Sequence, residues 1–527
     1  MASYNLLEEK WIDCMGIDGK NQTVSLTDLI LNAHHIESLS SAFPIINNSV
    51  IFLVEALLLS VYSKHGIVLA DHDNWMNLFE EGNFEESLFL DYFQSWKHRF
   101  NLFDEHFPFF QTHIAEEKEG TAMKLMPHFS GGTGGNTFTI FDHHTLDEGL
   151  ALTPKQAAQF LLPAHYYGAG GRLIGKDYFS DSSIANGLSF FIEGKNLFET
   201  LLLNLLPYPE VDDVRSGEYD RPIWESEYPF SVDDRMLVKE EKKTLYIPFG
   251  LMDMLTWPGR MIELIRDSDS LIRNIRMRAG LRIKQDYFPW FAYNRKGNFI
   301  RAREGRLLWR DYDILLQFRK MISPDEDNRP PQAIDHLKEL VDNRYLEDRI
   351  FVIRGAGMAK DSGKQKVHFY VEAAFPIPAA LLENSDLIRD ISECLNKAEK
   401  IRRILYGATA ALVDRILSFN SDQKEGRKPD KEDRNKLINH INAESVYWEA
   451  LEPKFYELIL HLPEDRDNSL NQWQESVQSA AWGALEYAIR LSGESVAVMK
   501  ASVHARAILG KNLNENLTRL RKEIANE

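Results

Sequence analysis

The sequence predicts an α+β protein, with a mixed α/β N-terminal domain at residues 1–384 and a C-terminal four-helix bundle at residues 385–527. Before residue 384, short apolar segments alternate with turns rich in glycine, proline and aspartate, which indicates mixed strands and helices. After residue 384, apolar residues recur at steps of three and four, which is typical of long amphipathic helices. Hydrophobic residues make up 44% of the 527 residues, enough for a buried core.

The N-terminal segment predicts two short strands followed by a capped helix. The strands are expected at Leu6–Ile12 and Thr23–Leu26, on either side of a turn that contains glycine. Ser25–Asp28 has the spacing of a capping box, in which a serine hydroxyl accepts the N–H three residues later. The apolar run Leu29–Ile36 is therefore expected to be helical.

We expect a soluble cytoplasmic protein. The most apolar stretch, Val50–Tyr62, is too short to span a bilayer and contains Glu55, so it predicts a buried helix. Met1–Lys10 lacks the basic and apolar regions of a secretory signal. The two cysteines, Cys14 and Cys394, lie far apart, which predicts neither a disulfide framework nor a CxxC site and fits a reducing compartment.

Four apolar faces predict the C-terminal bundle, because helices with such faces bury them against one another. Their first and last apolar residues are Leu387 and Leu412, Leu437 and Leu458, Trp473 and Ile489, and Val496 and Leu517. Breaks are expected at Ser421–Asp430, Pro463–Ser469 and Leu491–Gly493. Pro453 is expected to kink the second helix.

The charge excludes a protein that coats nucleic acid through its bulk charge, because the net charge is −18. Residues 260–320 are an exception, with 15 basic and 7 acidic residues. Aromatic residues are interleaved there: Tyr287, Phe288, Trp290, Phe291, Tyr293 and Trp309. Two interpretations are open: a nucleic-acid surface on which bases stack, or an ordinary solvated face beside core aromatics.

A glycine-rich loop is the best candidate for contact with a ligand. Gly168-Ala169-Gly170-Gly171 has almost no side chains, so its backbone could approach the minor groove of duplex DNA, with Arg172 beside it. The alternative is a plain glycine-rich turn. A nucleotide-binding P-loop is disfavoured, because Asp177 replaces the hydroxyl residue after Lys176 and a helix rather than a strand is expected before the loop.

Arg354–Tyr370 predicts a hairpin with the tip Lys360-Asp361-Ser362-Gly363-Lys364. Its lysines could push between the strands of a duplex, but a solvent-exposed turn is the favoured interpretation from the residues alone. His143-His144 follows Phe141-Asp142 without a spaced metal-ligating partner, so we expect an exposed loop and no metal. No catalytic constellation is discernible, and we expect neither an enzyme nor a cofactor.

A series of motifs, spread over most of the chain, is similar to the motifs of one family. This family is CasA, the large subunit of the type I-E CRISPR surveillance complex Cascade. The motifs are Tyr4–Ile12, Val24–Leu26, His106–Gln111, Asn136–His143, Gly168–Gly171, Pro248–Pro258 and Leu308–Asp313, together with the C-terminal bundle. The resemblance implies an N-terminal domain of family-specific topology. It also implies a non-catalytic subunit of an RNA-guided antiviral complex.

The resemblance further implies that the subunit reads the protospacer-adjacent motif in duplex DNA, helps open the duplex and recruits a helicase–nuclease. Its implied partners are the other Cascade subunits, the 5′ region of the crRNA, the target DNA and that helicase–nuclease, with no membrane. The remaining alternatives are a nucleotide-binding protein that uses Gly170–Lys176 and a purely structural scaffold subunit.

Individual residues acquire roles from the same resemblance. DNA contacts are implied for Gly168, Ala169, Gly170, Gly171, Arg172, Lys284, Lys360, Asp361, Ser362, Gly363 and Lys364. Lys284 corresponds to the family's lysine finger, and the hairpin to its wedge. Where the wedge usually carries glutamine, this chain offers Ser362 and Gln365 as alternatives. Phe141, Asp142 and His143 are implied to contact the guide and neighbouring subunits.

Overall fold

The computed structural model divides the chain into two compact units. The described residues are 3–69, 71–115, 118–127, 151–171, 174, 180–206, 219–226, 237–240, 243–284, 288–294, 296–316, 329–346, 349–360, 367–420 and 429–524. The first unit comprises Met1–Glu304, Gln317–Glu347 and Phe351–Ala374, and the second comprises Gly305–Leu316, Asp348–Ile350 and Phe375–Glu527. The domain boundary at residues 384 and 385 stays a prediction, although a long helix begins at Ser385.

Strands and helices are mixed in the first unit, and long helices dominate the second. The strands are β1 (Ile12–Gly16), β2 (Asn21–Val24), β3 (Ile36–Leu39), β4 (Gly120–Thr121), β5 (Leu188–Glu193), β6 (Leu237–Glu240), β7 (Lys243–Tyr246), β8 (Arg260–Arg266), β9 (Ile272–Ala279), β10 (Arg282–Ile283), β11 (Ile350–Lys360) and β12 (Val367–Pro378). The helices are α1 (Leu26–Leu31), α2 (Pro44–Lys64), α3 (His72–Glu81), α4 (Glu86–Trp96), α5 (Pro154–Tyr166), α6 (Leu197–Asn204), α7 (Leu251–Thr256), α8 (Tyr312–Leu315), α9 (Gln332–Asp342), α10 (Ala379–Glu383), α11 (Ser385–Asn420), α12 (Lys431–Ile441), α13 (Ala443–His461), α14 (Arg466–Leu491) and α15 (Val496–Ile524). The predicted α+β class is confirmed.

The described strands form small sheets rather than one large one. Their orders are β2-β1-β3, β10-β7-β6, β12-β11-β5 and β4-β9-β8. In the third sheet, β5 pairs antiparallel with β11, so that Leu188 lies opposite Gly357 and Glu193 lies opposite Val352. This register sets the end of β11 beside the segment that precedes β5.

The N-terminal strand prediction is shifted along the chain. Residues 6–9 form a turn rather than a strand, because the carbonyl of Asn5 accepts the N–H groups of Glu8 and Glu9, and β1 begins only at Ile12. The cap is as predicted: the hydroxyl of Ser25 accepts the N–H of Asp28 at 3.0 Å. The following apolar run is shared between α1, a short 3₁₀ turn and β3, so a helix through residue 36 is wrong.

Helix α2 is the core helix that the sequence predicts, although it is longer than expected. Among the residues described, it is the one helix with the length and composition to cross a membrane, but 94% of its apolar window is buried inside the protein. Glu55 lies in its middle and is 1% exposed. Burial raises the pKa of Glu55 well above its usual value, which favours the neutral form of this carboxyl.

The C-terminal helices pack as the sequence predicts, with one extra break. Helix α11 packs against α14 and α15, and α13 packs against α14, through buried apolar faces. The second predicted helix is two helices, because Asn442 adopts a left-handed conformation with φ 45° between α12 and α13. The break predicted at Pro463–Ser469 is shorter than expected, since α14 begins at Arg466.

Candidate nucleic-acid interface

The glycine-rich loop follows directly after α5. This helix begins with a capping box between Thr153 and Gln156, and Pro163 lies inside it. All four residues of the loop, Gly168 to Gly171, are buried, and Ala169 is 0% exposed. The prediction of a backbone open to a duplex is therefore wrong in this structure.

Internal packing explains two of the glycines. A Cβ at Gly168 would lie 2.5 Å from the carbonyl oxygen of Ala164 and 2.8 Å from Nη2 of Arg260. Gly171 has a φ of 122°, a backbone conformation that residues other than glycine rarely adopt. These two positions need glycine for the fold itself, which is the plain-turn interpretation.

Three polar backbone groups of the loop are already bonded. The Ala169 carbonyl accepts Nη2 of Arg260 at 2.8 Å, and the Gly168 carbonyl accepts the N–H of Ser182 at 2.8 Å. The N–H of Gly170 donates to Oδ1 of Asp181 at 2.7 Å. A base edge could reach these groups only after such bonds break, and that costs free energy.

Asp181 joins the loop to the end of β11. Its carboxylate accepts the N–H of Gly170, Nδ2 of Asn186 at 3.0 Å, and Nζ of Lys360. Burial acts to raise the pKa of Asp181, but the bonds from Lys360, Asn186 and Gly170 outweigh it and lower the pKa. The carboxylate is therefore ionised and holds together two segments that lie far apart in the sequence.

Lys360, which the sequence predicts at the tip of a hairpin, lies within the fold. It is the last residue of β11, and its side chain is only 6% exposed because it pairs with Asp181. Strands β11 and β12 confirm the hairpin arms, whereas the rest of its tip lies outside the described residues.

Arg260 is the second cation beside Asp181. It starts β8, is 2% exposed and donates from Nη2 to the carbonyls of Ala169 and Ser180. Burial lowers the pKa of Arg260 to about 10, and the charge of Asp181 opposes the fall. The guanidinium thus stays protonated at neutral pH.

Lys284 directly follows β10, whose residues Arg282 and Ile283 line a cleft. Asp181 lines the same cleft. The cleft has a volume of about 80 Å³, and Arg260 lines it together with the exposed Arg282. Lys284 is half-buried, and its N–H donates to the carbonyl of Tyr246 at 2.6 Å. Its backbone is therefore fixed by the parallel pairing of β10 with β7.

Five of the six aromatic residues named for the basic segment are described, and these five belong to the core. Exposure is 5% or less for Phe288, Trp290, Phe291, Tyr293 and Trp309. Two of the arginines are paired: Arg273 with Asp267 and Asp269, and Arg276 with Glu263 and Glu119. For these residues the interpretation as a solvated face beside core aromatics is confirmed, and a base-stacking platform is excluded.

Several predicted site residues cannot be placed. Outside the described residues lie Phe141, Asp142, His143, Arg172, Lys176, Asp177, Tyr287, Asp361, Ser362, Gly363, Lys364 and Gln365. The part of the P-loop segment that is described argues against that interpretation, because helix α5 and not a strand precedes the glycines. Within the described ranges, no group of three or more His, Cys, Asp or Glu residues could hold a metal ion.

Sequence reasoning missed Asp181 and Arg260. The partner of Asp181 lies 179 residues away, and nothing in either local sequence indicates the pairing. In the sequence Arg260 is one charge of a basic segment, whereas its burial against Gly168 gives it a structural role. The one available signal was the run of glycines, which leaves space for a large neighbour.

Comparison with known proteins gives a consistent result. The family described as CRISPR-associated protein Cse1 matches residues 5–484. The chain is 27% identical over 527 residues to a CRISPR-associated protein CasA/Cse1 of Thermus thermophilus, with 98% of each chain covered.

Solved structures are similar along nearly the whole chain. The crystal structure of Thermus thermophilus CasA has a TM-score of 0.77 and 24% identity, covering 98% of this chain and 100% of that one. Thermobifida fusca Cse1 has a TM-score of 0.77 and 21% identity, covering 97% and 98%. A chain of a CRISPR RNA-guided surveillance complex has a TM-score of 0.72 and 20% identity, covering 97% and 100%.

Proposed function

The chain belongs to the CRISPR-associated Cse1 (CasA) family, and from this premise we propose that, as a subunit of a CRISPR RNA-guided surveillance complex, it reads the protospacer-adjacent motif of duplex DNA. It then helps open the duplex and recruits a helicase–nuclease, without catalysis of its own. Base pairing with the guide reads the rest of the target, and the protein reads only the short flanking motif. The subunit docks beside the crRNA 5′ region and the neighbouring subunits.

One arrangement carries this proposal. The carboxylate of Asp181 bonds both Gly170 and Lys360, so the glycine loop and the base of the wedge hairpin meet at one place. The carboxylate of Asp181 also lines the cleft beside Arg282. Arg282 precedes Lys284 by two residues, which brings the segment of Lys284 to the same place. Three segments to which the family resemblance gives DNA contacts thus belong to one corner of the first unit.

The buried loop changes which groups touch DNA in this proposal. Because the backbone of residues 168–170 is bonded to Arg260, Asp181 and Ser182, it supports the interface from behind. Base edges are read by side chains that project from this support, with Lys284 as the leading candidate, and the hairpin beyond Lys360 separates the strands.

The charge of the chain fits weak binding outside the complex. A net charge of −18 repels the phosphate backbone, so a local basic corner gives little affinity by itself. The guide-bound assembly supplies the rest, because it holds the corner at a high effective concentration next to the duplex.

The decisive experiment is a binding screen on duplexes whose flanking base pairs are randomised. The chain is reconstituted into its guide-bound complex, and a complex without the chain serves as the control. We expect a small set of flanking sequences to be enriched, with a mismatch costing about 1–3 kcal/mol per position. Equal recovery of all flanking sequences would refute motif reading and favour a purely structural scaffold subunit.

Lys284→Gln tests the leading candidate within the same screen. We expect the ranking of flanking sequences to flatten while the complex still assembles. Lys195→Gln is the matched control, because Lys195 is exposed and follows Glu193, at the end of β5 opposite to the corner. An unchanged ranking with Lys284→Gln would remove this lysine from the proposed site.

Recruitment of the helicase–nuclease is tested separately. Complexes with and without the chain are bound to an immobilised target, and retention of the nuclease is measured. We expect retention only when the chain is present. Equal retention would assign recruitment to another subunit and leave motif reading untouched.

A further inference from the structure

The cleft beside Asp181 has walls from three segments of the first unit. These are Ser180–Ser183, Gly259–Arg260 and, from the third segment, Ala279, Gly280, Arg282 and Ile283, and together with Trp257 they line a volume of about 80 Å³. Two of the walls touch without side chains between them, since a Cβ at Gly280 would lie 2.7 Å from the carbonyl carbon of Gly259. The positions of these two walls relative to each other are therefore fixed by close backbone packing.

The charges around the cleft favour an anion. Arg260 and Arg282 line it with positive charge, and the negative charge of Asp181 is matched by its ion pair with Lys360. Within the part of the chain that the structure describes, these four groups sum to a net charge of +2. Because Arg260 is 2% exposed, its attraction for an anion is screened less by water than that of a surface arginine.

The donors in the cleft suit phosphate. An arginine guanidinium presents N–H groups whose geometry matches phosphate oxygens, and serine hydroxyls are common secondary donors. Arg282 and Ser180 are exposed at the cleft, and Ser183 is half-exposed. An entering phosphate would thus meet an accessible cation first and a buried cation behind it.

We propose that this cleft binds one backbone phosphate of the target duplex, with Arg282 as the accessible ligand and Arg260 as the buried charge behind it. This inference rests on the proposed function, because the duplex would be brought to the cleft by the motif-reading corner. A phosphate contact carries no sequence information, so its part is to fix the register of the duplex.

The test uses the guide-bound complex and target duplexes that carry a single neutral methylphosphonate at successive flanking positions. In the wild type, we expect one position at which this substitution weakens binding about threefold to tenfold. With Arg282→Gln, binding of the unmodified duplex should weaken by a similar factor, and that one methylphosphonate should have no further effect. Arg282→Lys keeps the charge and should restore most of the affinity and the sensitivity.

Salt dependence gives a second measurement. Removing one phosphate contact should lower the slope of log affinity against log salt by about 1. Arg303→Gln is the matched control, since Arg303 is exposed and does not line the cleft. It should leave the methylphosphonate pattern unchanged.

The outcomes separate this inference from the proposed function. If Arg282→Gln behaves like Arg303→Gln in affinity, salt slope and methylphosphonate pattern, the phosphate site is wrong even when the motif ranking persists. If Arg282→Gln weakens association of the chain with the guide-bearing assembly, while the complexes that do form bind every methylphosphonate duplex as the wild type does, the cleft takes an RNA phosphate and the inference is overturned. Loss of motif ranking in the wild type would instead refute the proposed function.

Discussion

The guanidinium of Arg260 fills the space into which a side chain at Gly168 would project, because a Cβ there would lie 2.8 Å from Nη2 of Arg260. The same nitrogen holds the carbonyl of Ala169. Loop and arginine therefore fix each other, and the glycine run is a packing requirement before it is anything else.

Gly168→Ala should destabilise the first unit by about 1–3 kcal/mol. The added methyl group would lie 2.5 Å from the backbone oxygen of Ala164, which cannot move aside without disturbing α5. The free energy of unfolding from urea titration measures this. Gly407→Ala in α11 is the control, where no atom lies within 4 Å of the added Cβ and helix propensity predicts unchanged or higher stability. Equal stability of Gly168→Ala and wild type would contradict the packing.

The ion pair between Asp181 and Lys360 should show a coupling energy of about 1–3 kcal/mol in a double-mutant cycle with Asp181→Asn and Lys360→Gln. The reason is burial, since the Lys360 side chain is 6% exposed. The exposed pair of Lys20 with Asp18 is the control and should show a much smaller coupling energy. Equal coupling in the two pairs would show that Asp181 does not tie the loop to β11.

Asp253 should make the first unit less stable as the pH rises from about 4 to about 6. Burial, aided by the charge of Asp220, raises the pKa of Asp253 to about 6 from an ordinary 3.8. Between these values the folded state holds a proton that the unfolded state has released, so stability is present at low pH and lost on the way up. The change is up to about 3 kcal/mol.

The measurement is the difference in unfolding free energy between wild type and Asp253→Asn at each pH. The contributions of the other carboxyl groups to the pH dependence cancel in this difference. An amide oxygen at this position can still accept the hydroxyl of Tyr246, which donates to Asp253 at 2.6 Å. We expect the unfolding free energy of the variant to rise relative to that of the wild type as the pH increases to about 6. Above that pH the difference between the two should be constant. A difference that is constant throughout would refute the raised pKa.

Glu399→Ala should destabilise the second unit by about 2–4 kcal/mol, because it leaves the guanidinium of Arg310 without its carboxylate. Glu399 accepts Nε of Arg310 and Nε of Arg402, each at 3.1 Å. Glu457→Ala removes an exposed partner of Lys454 and should cost less than about 0.5 kcal/mol. Thermal unfolding of both variants measures the contrast, and equal shifts would contradict it.

Periodicity made the second unit predictable, because a repeating apolar face needs little information from elsewhere in the chain. The exception is Asn442, whose left-handed conformation divides one predicted helix into two. Asparagine tolerates this conformation better than most residues, but nothing obliges it to adopt it. The position of such a break is therefore poorly specified by sequence alone.

The sequence predicted the glycine-rich loop of the candidate site but not the residues that pack against it. The run Gly168–Gly171 indicates an unusual backbone, but composition does not tell whether a neighbour or a ligand fills the space. The neighbour is Arg260, and the link from Asp181 to Lys360 spans 179 residues, beyond any local pattern. Burial of Lys360 follows from that distant partner, which is why the sequence alone predicts an exposed tip there.

The pairing of β5 with β11 has a consequence for biosynthesis. Every residue of β5 except Glu193 is buried, yet the strand that covers it starts only at Ile350. At ordinary elongation rates a ribosome needs roughly ten to thirty seconds to make the intervening chain. During that interval the edge of β5 that later pairs with β11 is unpaired, and an unpaired strand edge is open to pairing with other chains.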